Sequence, residues 1–569
     1  MDAVVVGAGP VGMMMACELH RQGLSFRIVD LREGRSAHSK ALAIWSRSLE
    51  ALHDLGLAEK LLAAGHRVHG VSIFAEGKRV VHLTLDEVAS PFPYALIIPQ
   101  SRTEQLLEEH LQQQGLQIEW GVALKAFEQD QDGVVCQLAV ARGVEEVRSR
   151  WLIGCDGAES TIRQRLGIEF RGKSKPDEFV LADARALGHS LEDEISVYWH
   201  RAGVVALFPM GGELHRVIAE TAPGSSPEVP SLEQVQHFVD ARTNSGLRLE
   251  DPTWLARFRS HERHVRRYHH GRVFLAGDAA HVHSPIVGQG LNTGLQDVYN
   301  LGWKLALVRR HGVTQSLLDS YSRERSAVGE FVRRNAGLAT QVATLRHPVA
   351  RYLRDRMAAF LSSLDIVQER MRATMTELDI NYRKSPLSRE HIGVEAANWH
   401  LGAGVRPGDR APDGRLLVLP QQQEFSLFRL FQGTGYRLLL FQGAARTPGR
   451  FNELLELGKK VTDRFREHVR PHLILRQAHH KPTGPAYLDP GLRLHKTYGA
   501  GTTCLYLIRP DGYVGYRSLP CSEQGLFRYL DRFAPKVETL SRECVPSPAS
   551  GGTVCENPGP PDPHPGSSP

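Results

Sequence analysis

Three clusters of glycines and acids are spaced to hold a phosphorylated nucleotide. Gly7, Gly9 and Gly12 stand in GxGxxG spacing after an apolar run, and Asp30 follows eighteen residues beyond Gly12 at the end of a second apolar run. In such a turn the first glycine permits the reversal and the second lets backbone approach a pyrophosphate at a helix N-terminus. The third lets helix and strand pack closely, and the acid accepts hydrogen bonds from a ribose. The cluster by itself does not separate NAD from FAD. A second pair, Asp156 and Gly157 in WLIGCDGAESTIRQRLG (151–167), sits at a strand end before a helix that offers Ser160 and Arg163. The third is GRVFLAGDAAHVHSPIVGQGLNTGLQDVYNLGWKLALV (271–308). There a strand ends at Gly277 and Asp278, a loop passes Pro285, and a long helix opens with GQGLNTG. Asp278 can hold a polyol hydroxyl, and the free N–H groups at Gly290, Leu291 and Asn292 form an electropositive pocket for an anionic oxygen.

The elements that must position these residues alternate strand and helix over 1–75, with a further helix at 101–115. GVSIFAEGKRVVHLTL (70–85) reads as a hairpin around Glu76 and Gly77, and 133–157 adds strands that close on the second glycine turn. Residues 178–222 are strand-like and 231–258 return to helix. From Pro285 to about residue 395 the pattern is helical. GAGVRPGDRAPDGRL (402–416) then reads as a domain entrance, followed by strands, helices around 449–468 and 522–533, and a hairpin turning at Pro510, Asp511 and Gly512. The tail SPASGGTVCENPGPPDPHPGSSP is too poor in apolar residues to fold.

At 569 residues, 41% hydrophobic and 23% charged, the chain is globular and too long for one core. No apolar run approaches the roughly 18 residues of a membrane-spanning helix. The first apolar stretch runs straight into the glycine turn without a basic leader, so a signal peptide is not expected and a cytoplasmic location is. The seven cysteines, Cys17, Cys136, Cys155, Cys504, Cys521, Cys544 and Cys555, contain no CxxC pair. Reduced thiols and no metal site follow. The net charge of +6 is spread out, and HERHVRRYHHGR (261–272) offers no aromatic platform beyond Tyr268, so neither nucleic acid nor membrane is an expected partner.

VVVGAGPVG, GCDGAESTIR and LAGDAAHVHSPIVGQGLNTGLQDVYNLGWKL, in this order, resemble the motifs of the FAD-dependent aromatic monooxygenases. These are the class A flavoprotein hydroxylases of the para-hydroxybenzoate hydroxylase type, and the likeness is greatest to the phenol, 3-(3-hydroxyphenyl)propionate and polyketide hydroxylases. The resemblance implies an α/β fold: an FAD-binding Rossmann-like domain (1–75, 100–177 and 260–345) with an inserted β-sheet substrate domain (76–99 and 178–259). A helical connection (346–399), a thioredoxin-like domain without CxxC (400–540) and a disordered tail (545–569) complete it.

It implies FAD held by Gly7, Gly9, Pro10, Gly12, Asp30, Lys40, Gln100, Arg102, Asp156, Gly157, Gly277 and Asp278. Pro285, Gly288, Gly290, Leu291 and Asn292 would surround the ring end. Asp30 falls on the adenosine ribose, Asp278 on the ribityl chain, and Asp156 with Gly157 between FAD and NAD(P)H. The implied reaction reduces FAD with NAD(P)H, adds dioxygen to form a hydroperoxyflavin, and hydroxylates a phenolic or polycyclic aromatic substrate. Pro285 is the candidate for shaping the catalytic pocket, and no base is assigned. His281 reads equally as a proton relay or a structural residue, and Tyr198, His200 and Met210 as pocket lining or core. The resemblance implies packing or homodimerisation for the last domain.

Lys40 stands where the family more often has arginine, which loses the bidentate fork. Ser284 and Val287 stand where proline and glycine are frequent. Baeyer–Villiger or epoxidising chemistry shares the same FAD motifs. A non-catalytic FAD-binding association module has no need to keep all three clusters intact, and an NAD dehydrogenase leaves Asp278 and 288–294 unexplained.

Overall fold

The apolar runs beside the glycine turns become the centre of a parallel sheet. The computed structural model describes residues 1–36, 41–188, 192–222, 229–282, 288–311, 316–345, 347–393, 404–421, 423–445, 450–477 and 486–533. In it Ala3–Val6 pairs in parallel with Phe26–Asp30 on one side and Trp151–Gly154 on the other, and Val273–Leu275 lies beyond Trp151–Gly154. Ala3, Val4 and Val5 are fully buried, because a parallel strand covered on both faces has no solvent side to satisfy. The chain moves to opposite sides of Ala3–Val6 for its next two partners. Such a switch point leaves a crevice at the carboxyl ends of the strands, where Gly7, Asp30, Asp156 and Gly277 emerge. Helices Pro10–Arg21 and Gly290–His311 pack against each other beside it.

A second, eight-stranded sheet runs in the order His281–Val282, Arg248–His264, Arg171–Leu187, Leu214–Thr221, Gly203–Pro209, Glu194–His200, Gly70–Ala75, Lys78–Thr84. Alternation along its strands separates two faces. Val205, Leu207 and Val217 meet Val235 and Val239 of helix Leu232–Thr243, whereas Ala206, Phe208 and Ile218 turn towards Ala43 and Trp45. The helix expected over 231–258 stops early. Asn244 takes a left-handed conformation (φ +51°), and Arg248–His264 is a strand along Arg171–Leu187. Its charged residues read as helical locally, and only the partner strand reveals the ladder.

A third sheet holds the last part of the chain. Tyr436–Phe441 and Val469–Leu475 are parallel across helix Arg450–Phe465, Cys504–Ile508 and Val514–Leu519 are antiparallel, and helix Glu523–Phe533 follows, as expected for a thioredoxin-like unit. Arg389–Ile392 adds an edge strand beside Val514–Leu519, so this sheet begins inside the expected helical connection. The tail from 545 lies outside the described residues. Among those described, no helix is long and apolar enough to cross a membrane.

Candidate cofactor and substrate site

The first glycine turn is built by close approach at two positions and by openness at the third. Gly7 has φ +101°, and a Cβ there would stand 2.3 Å from the carbonyl oxygen of Cys155; on Gly12 it would stand 1.8 Å from that of Gly7. Gly9 is different: its backbone is extended and nothing lies within 4 Å of an added Cβ. It caps the helix that Pro10 opens, so unpaired amides border free space, the arrangement that receives a phosphate.

Asp30 accepts the N–H of Ala8 at 2.6 Å and that of Arg32 at 2.8 Å, and is gripped by the Arg32 guanidinium through two bonds of 3.0 Å. Burial pushes its carboxyl up, but these donors more than reverse the effect and hold it below the usual range. Arg32 was not singled out from the sequence; an arginine two residues after the strand-end acid was the available signal. Gln100, at the start of helix Gln100–Gln113, donates to Glu104 at 2.8 Å, and Arg102 is exposed on the same turn.

Ser160 caps the short helix Thr161–Arg165, and Asp156 accepts the first-turn N–H of Ile162 at 3.1 Å. Its Oδ1 is buried with no hydrogen-bond partner among the described residues, and burial pushes the carboxyl up. Gly157 (φ +78°) opens onto free space. Asp278 is exposed, yet enough protein surrounds it that desolvation pushes its carboxyl up, with His281 pulling weakly the other way. Val11 fits between Gly277 and Gly294, where Cβ atoms would lie 2.9 and 2.7 Å from its Cγ2, so the first and third motifs interlock.

Beneath this loop Asp297 is fully buried. It accepts the N–H of Gly277 at 3.0 Å, lies 2.7 Å from His281 Nε2, and takes Arg325 Nε at 2.6 Å. Burial pushes the Asp297 carboxyl up, but the cations win and hold it ionised. This pairing gives His281 a structural task at the Gly277 turn.

The Gly290–His311 helix makes its first intrahelical bond from Thr293 to Gln289 at 2.9 Å, so the amides of Gly290, Leu291 and Asn292 precede the ladder. The Asn292 side chain is committed elsewhere. It accepts from Trp45 N at 2.8 Å and donates to the carbonyl oxygens of Ala43 and Gly288 at 2.9 Å. Trp45 is 2% exposed; its Nε1 has no partner among the described residues and lies 3.8 Å from where a Cβ on Gly288 would be.

Trp45 belongs to an apolar cluster with Phe208, against which Val197 and Met210 of the second sheet and Met371 and Met375 of helix Asp365–Met375 pack. Of the three candidate lining residues only Met210 joins it. Tyr198 stacks on Phe74 at 4.9 Å under the other face, and His200 ends its strand at a hairpin turn. Glu377, buried at φ +60°, accepts from Thr293 at 3.1 Å and from Gln296, and burial pushes its carboxyl up to about 8. The 509–512 turn of the last sheet also reaches this region, where Arg47 Nη2 donates to Asp511 O at 2.5 Å and Arg509 pairs with Glu324 at 2.8 Å. Nothing local in the sequence marks Glu377, and the turn expected at Pro510, Asp511 and Gly512 carries no sign that it reaches this region. Lys40 and Pro285 lie outside the described residues.

Residues 1–336 match a family model described as an FAD binding domain. The chain is 33% identical over 529 residues to the 6-methylpretetramide 4-monooxygenase of Streptomyces rimosus, covering 90% of each. An anhydrotetracycline hydroxylase from Streptomyces rimosus has a similar solved structure, at 30% identity and TM-score 0.72 over 94% of this chain and 99% of that one. An aklavinone-11 hydroxylase solved with FAD and aklavinone is similar at 25% identity and TM-score 0.73, over 94% of this chain and 98% of that one.

Proposed function

We propose a substrate and residue roles for a chain that belongs to the FAD binding domain family of flavoprotein hydroxylases: it is an FAD-dependent aromatic monooxygenase, and its substrate is a polycyclic aromatic polyketide. The observation that carries the reading is the convergence, at one crevice, of the open Gly9 turn, the exposed Asp278 and the first-turn amides of the 290–311 helix.

The residues suit FAD. The amides after Gly9 would receive the pyrophosphate, Asp30 the adenosine ribose, and Asp278 the hydroxyls of the ribityl chain. The amides of Gly290, Leu291 and Asn292, which precede the helix ladder, would stabilise negative charge at the pyrimidine end of the ring. Asp156, with its unpartnered Oδ1, and Gly157 border the same crevice. When bound, FAD would take two electrons from NAD(P)H and supply one oxygen atom of dioxygen to a ring carbon as a hydroxyl, the other leaving as water.

The chain's own task is to seat the substrate and exclude water. Phe208, Met210, Met371 and Met375 supply an apolar wall, with two flexible methionines able to follow a fused-ring outline. The unpaired Trp45 N–H would donate to an oxygen substituent of the substrate, since a buried donor without a partner is costly unless the ligand satisfies it. Relatives named for tetracycline-type and aklavinone substrates support a polyketide over a single-ring phenol. A cytoplasmic setting, where NAD(P)H is supplied, fits this chemistry.

The test is the visible spectrum of the purified protein, followed by NADH and NADPH oxidation in air with fused-ring polyketides and with simple phenols. Bound flavin, oxidation accelerated by the fused-ring compounds and a product one oxygen heavier are expected. Acceleration by single-ring phenols alone would overturn the substrate assignment.

A further inference from the structure

Helix Asp365–Met375 ends in a turn whose backbone asks for glycine and receives a carboxylic acid. Leu378 N donates to Ala373 O at 2.9 Å and Glu377 N to Thr374 O at 3.3 Å, the pair of bonds that closes a helix around a left-handed residue. That residue is Glu377, at φ +60°. Glycine takes this conformation freely, whereas a residue with a Cβ is strained there. The side chain does not serve solubility, since Glu377 is 1% exposed. Strained residues persist where their surroundings over-determine them, and they gather at functional sites.

The Glu377 carboxyl is seated against the first turns of helix Gly290–His311. Oε1 lies 3.1 Å from the Thr293 hydroxyl, and Oε2 accepts from Gln296 Nε2. Gln296 also reaches Ser48 Oγ at 3.4 Å, and Ser48 donates to Asn292 O at 3.4 Å. The Thr293 hydroxyl has one proton and two acceptors in reach, Glu377 Oε1 and, at 3.0 Å, Gln289 O. A proton on Glu377 supplies the missing donor, so the neutral acid satisfies both contacts at once. Arg325, from helix Ser316–Ala343, is committed to Asp297, Tyr382 and Thr293 O, and Asp379 accepts from Thr374 at 2.6 Å. Arg47 meets the same turn through its backbone N, 3.3 Å from Thr376 O, and sends its guanidinium to Glu50. Burial pushes the Glu377 carboxyl up to about 8, with Asp379 adding to the push and Arg325 opposing only part of it.

We propose that Glu377 tunes the reduction potential of the bound flavin through the helix that faces its ring end, an inference that rests on the FAD reading. Reduction by NAD(P)H transfers one hydride, which is two electrons with one proton. NAD(P)H becomes NAD(P)⁺, and the flavin acquires one negative charge. The amides of Gly290, Leu291 and Asn292 attract that charge. A neutral Glu377 leaves their field intact, whereas an ionised one sets a second negative charge beside Thr293 and opposes the reduced state. Thr293 stands at most three residues, about 4.5 Å, along the helix from these amides. Two like charges on the order of 10 Å apart inside a protein shift an equilibrium by roughly tenfold or more. Where Glu377 is ionised, arrival of the flavin's charge also draws one proton from solvent onto the carboxylate.

The experiment is the midpoint potential of the full-length, FAD-loaded chain, titrated against reference dyes from about pH 6 to about pH 10, for the native chain, Glu377→Gln and Glu377→Gly. Glutamine keeps the shape without the ionisation. Glycine removes the side chain and relieves the left-handed backbone, so a folding defect in the first variant is separable from loss of the acid. At about pH 6 the three curves should lie together. Above about 8 the native potential should fall below both variants. By about pH 10 the gap should reach at least a tenfold shift in the ratio of reduced to oxidised flavin, ~30 mV for a two-electron couple. A merely structural role would displace the curves equally at every pH. A gap between native and variant that is constant across the range would overturn the proposal, and so would a native curve that does not steepen above about 8, a result that needs no variant. A chain that binds no FAD would instead refute the FAD reading, and the role of Glu377 with it.

Discussion

Gly9 and Gly12 are three residues apart in one turn and answer opposite demands, so the same substitution at each separates folding from cofactor binding. An alanine Cβ at Gly12 would stand 1.8 Å from the carbonyl oxygen of Gly7, inside the 3.0 Å that real contacts respect. Relief requires more than an ångström of movement between the helix and the strand turn, and overpacking of this kind costs about 1–3 kcal/mol or more. Against a total stability of about 5–15 kcal/mol, Gly12→Ala is severely destabilising.

At Gly9 the backbone is extended and an added Cβ touches nothing within 4 Å. Losing glycine at the helix cap costs a few tenths of a kcal/mol, and restricting the unfolded chain returns about 0.4–1 kcal/mol, so stability should change little. The methyl nevertheless enters the space assigned to the pyrophosphate. Expelling or displacing the ligand there costs about 2–3 kcal/mol, a loss of roughly a hundredfold in FAD affinity. Urea unfolding of the FAD-free proteins and FAD titration by flavin fluorescence give the two quantities. The reasoning fails if Gly9→Ala folds normally and binds FAD as tightly as the native chain.

Three further outcomes follow from named contacts. Glu377 titrates at about 8 folded against 4.5 as a free carboxyl, so the native state keeps a proton that the unfolded state has released. Stability therefore falls as pH rises from about 4.5 to about 8 and levels off above, with on the order of 3 kcal/mol lost by pH 7. Glu377→Gln, which resembles the protonated acid, should flatten that part of the pH–stability curve; a parallel curve would contradict the assignment. Trp45→Phe keeps the ring and removes the N–H, so KM for the aromatic substrate should rise about tenfold while FAD affinity holds, and an unchanged KM would remove the proposed substrate contact. Asp297→Asn leaves Arg325 buried without its counter-charge and should cost about 3–5 kcal/mol in denaturant unfolding, with weakened FAD binding because Gly277 loses its anchor. Native-like stability in that variant would show that the loop does not depend on the buried pair.

The three motifs were legible because their constraints act over a few consecutive residues. Gly7 and Gly12 must be glycine at a turn where backbone meets backbone, and Asp30, Asp156 and Gly277 announce strand ends whether or not their partners are known. That these strands lie inside a covered sheet is legible from short runs that are apolar on both faces, whereas their order comes from the ladders. The strand Arg248–His264 was not legible, since its charges suit a helix and only the ladder with Arg171–Leu187 decides otherwise. The structural task of His281 shows only once Asp297 and Arg325 are found around it. Asn292 would read as a ligand contact until its amide is seen spanning Ala43, Trp45 and Gly288. Helix Pro348–Leu361 turns Tyr352, Leu353 and Phe360 to solvent although it has the periodicity of any core-facing helix, and no pattern within it tells which side meets the protein. Local sterics and hydrogen-bond rules thus determine which groups stand at the ends of strands. The environment of each buried polar group, and the direction each amphipathic helix faces, depends on partners distant in the chain, because desolvation and charge pairing are set by whatever packs there.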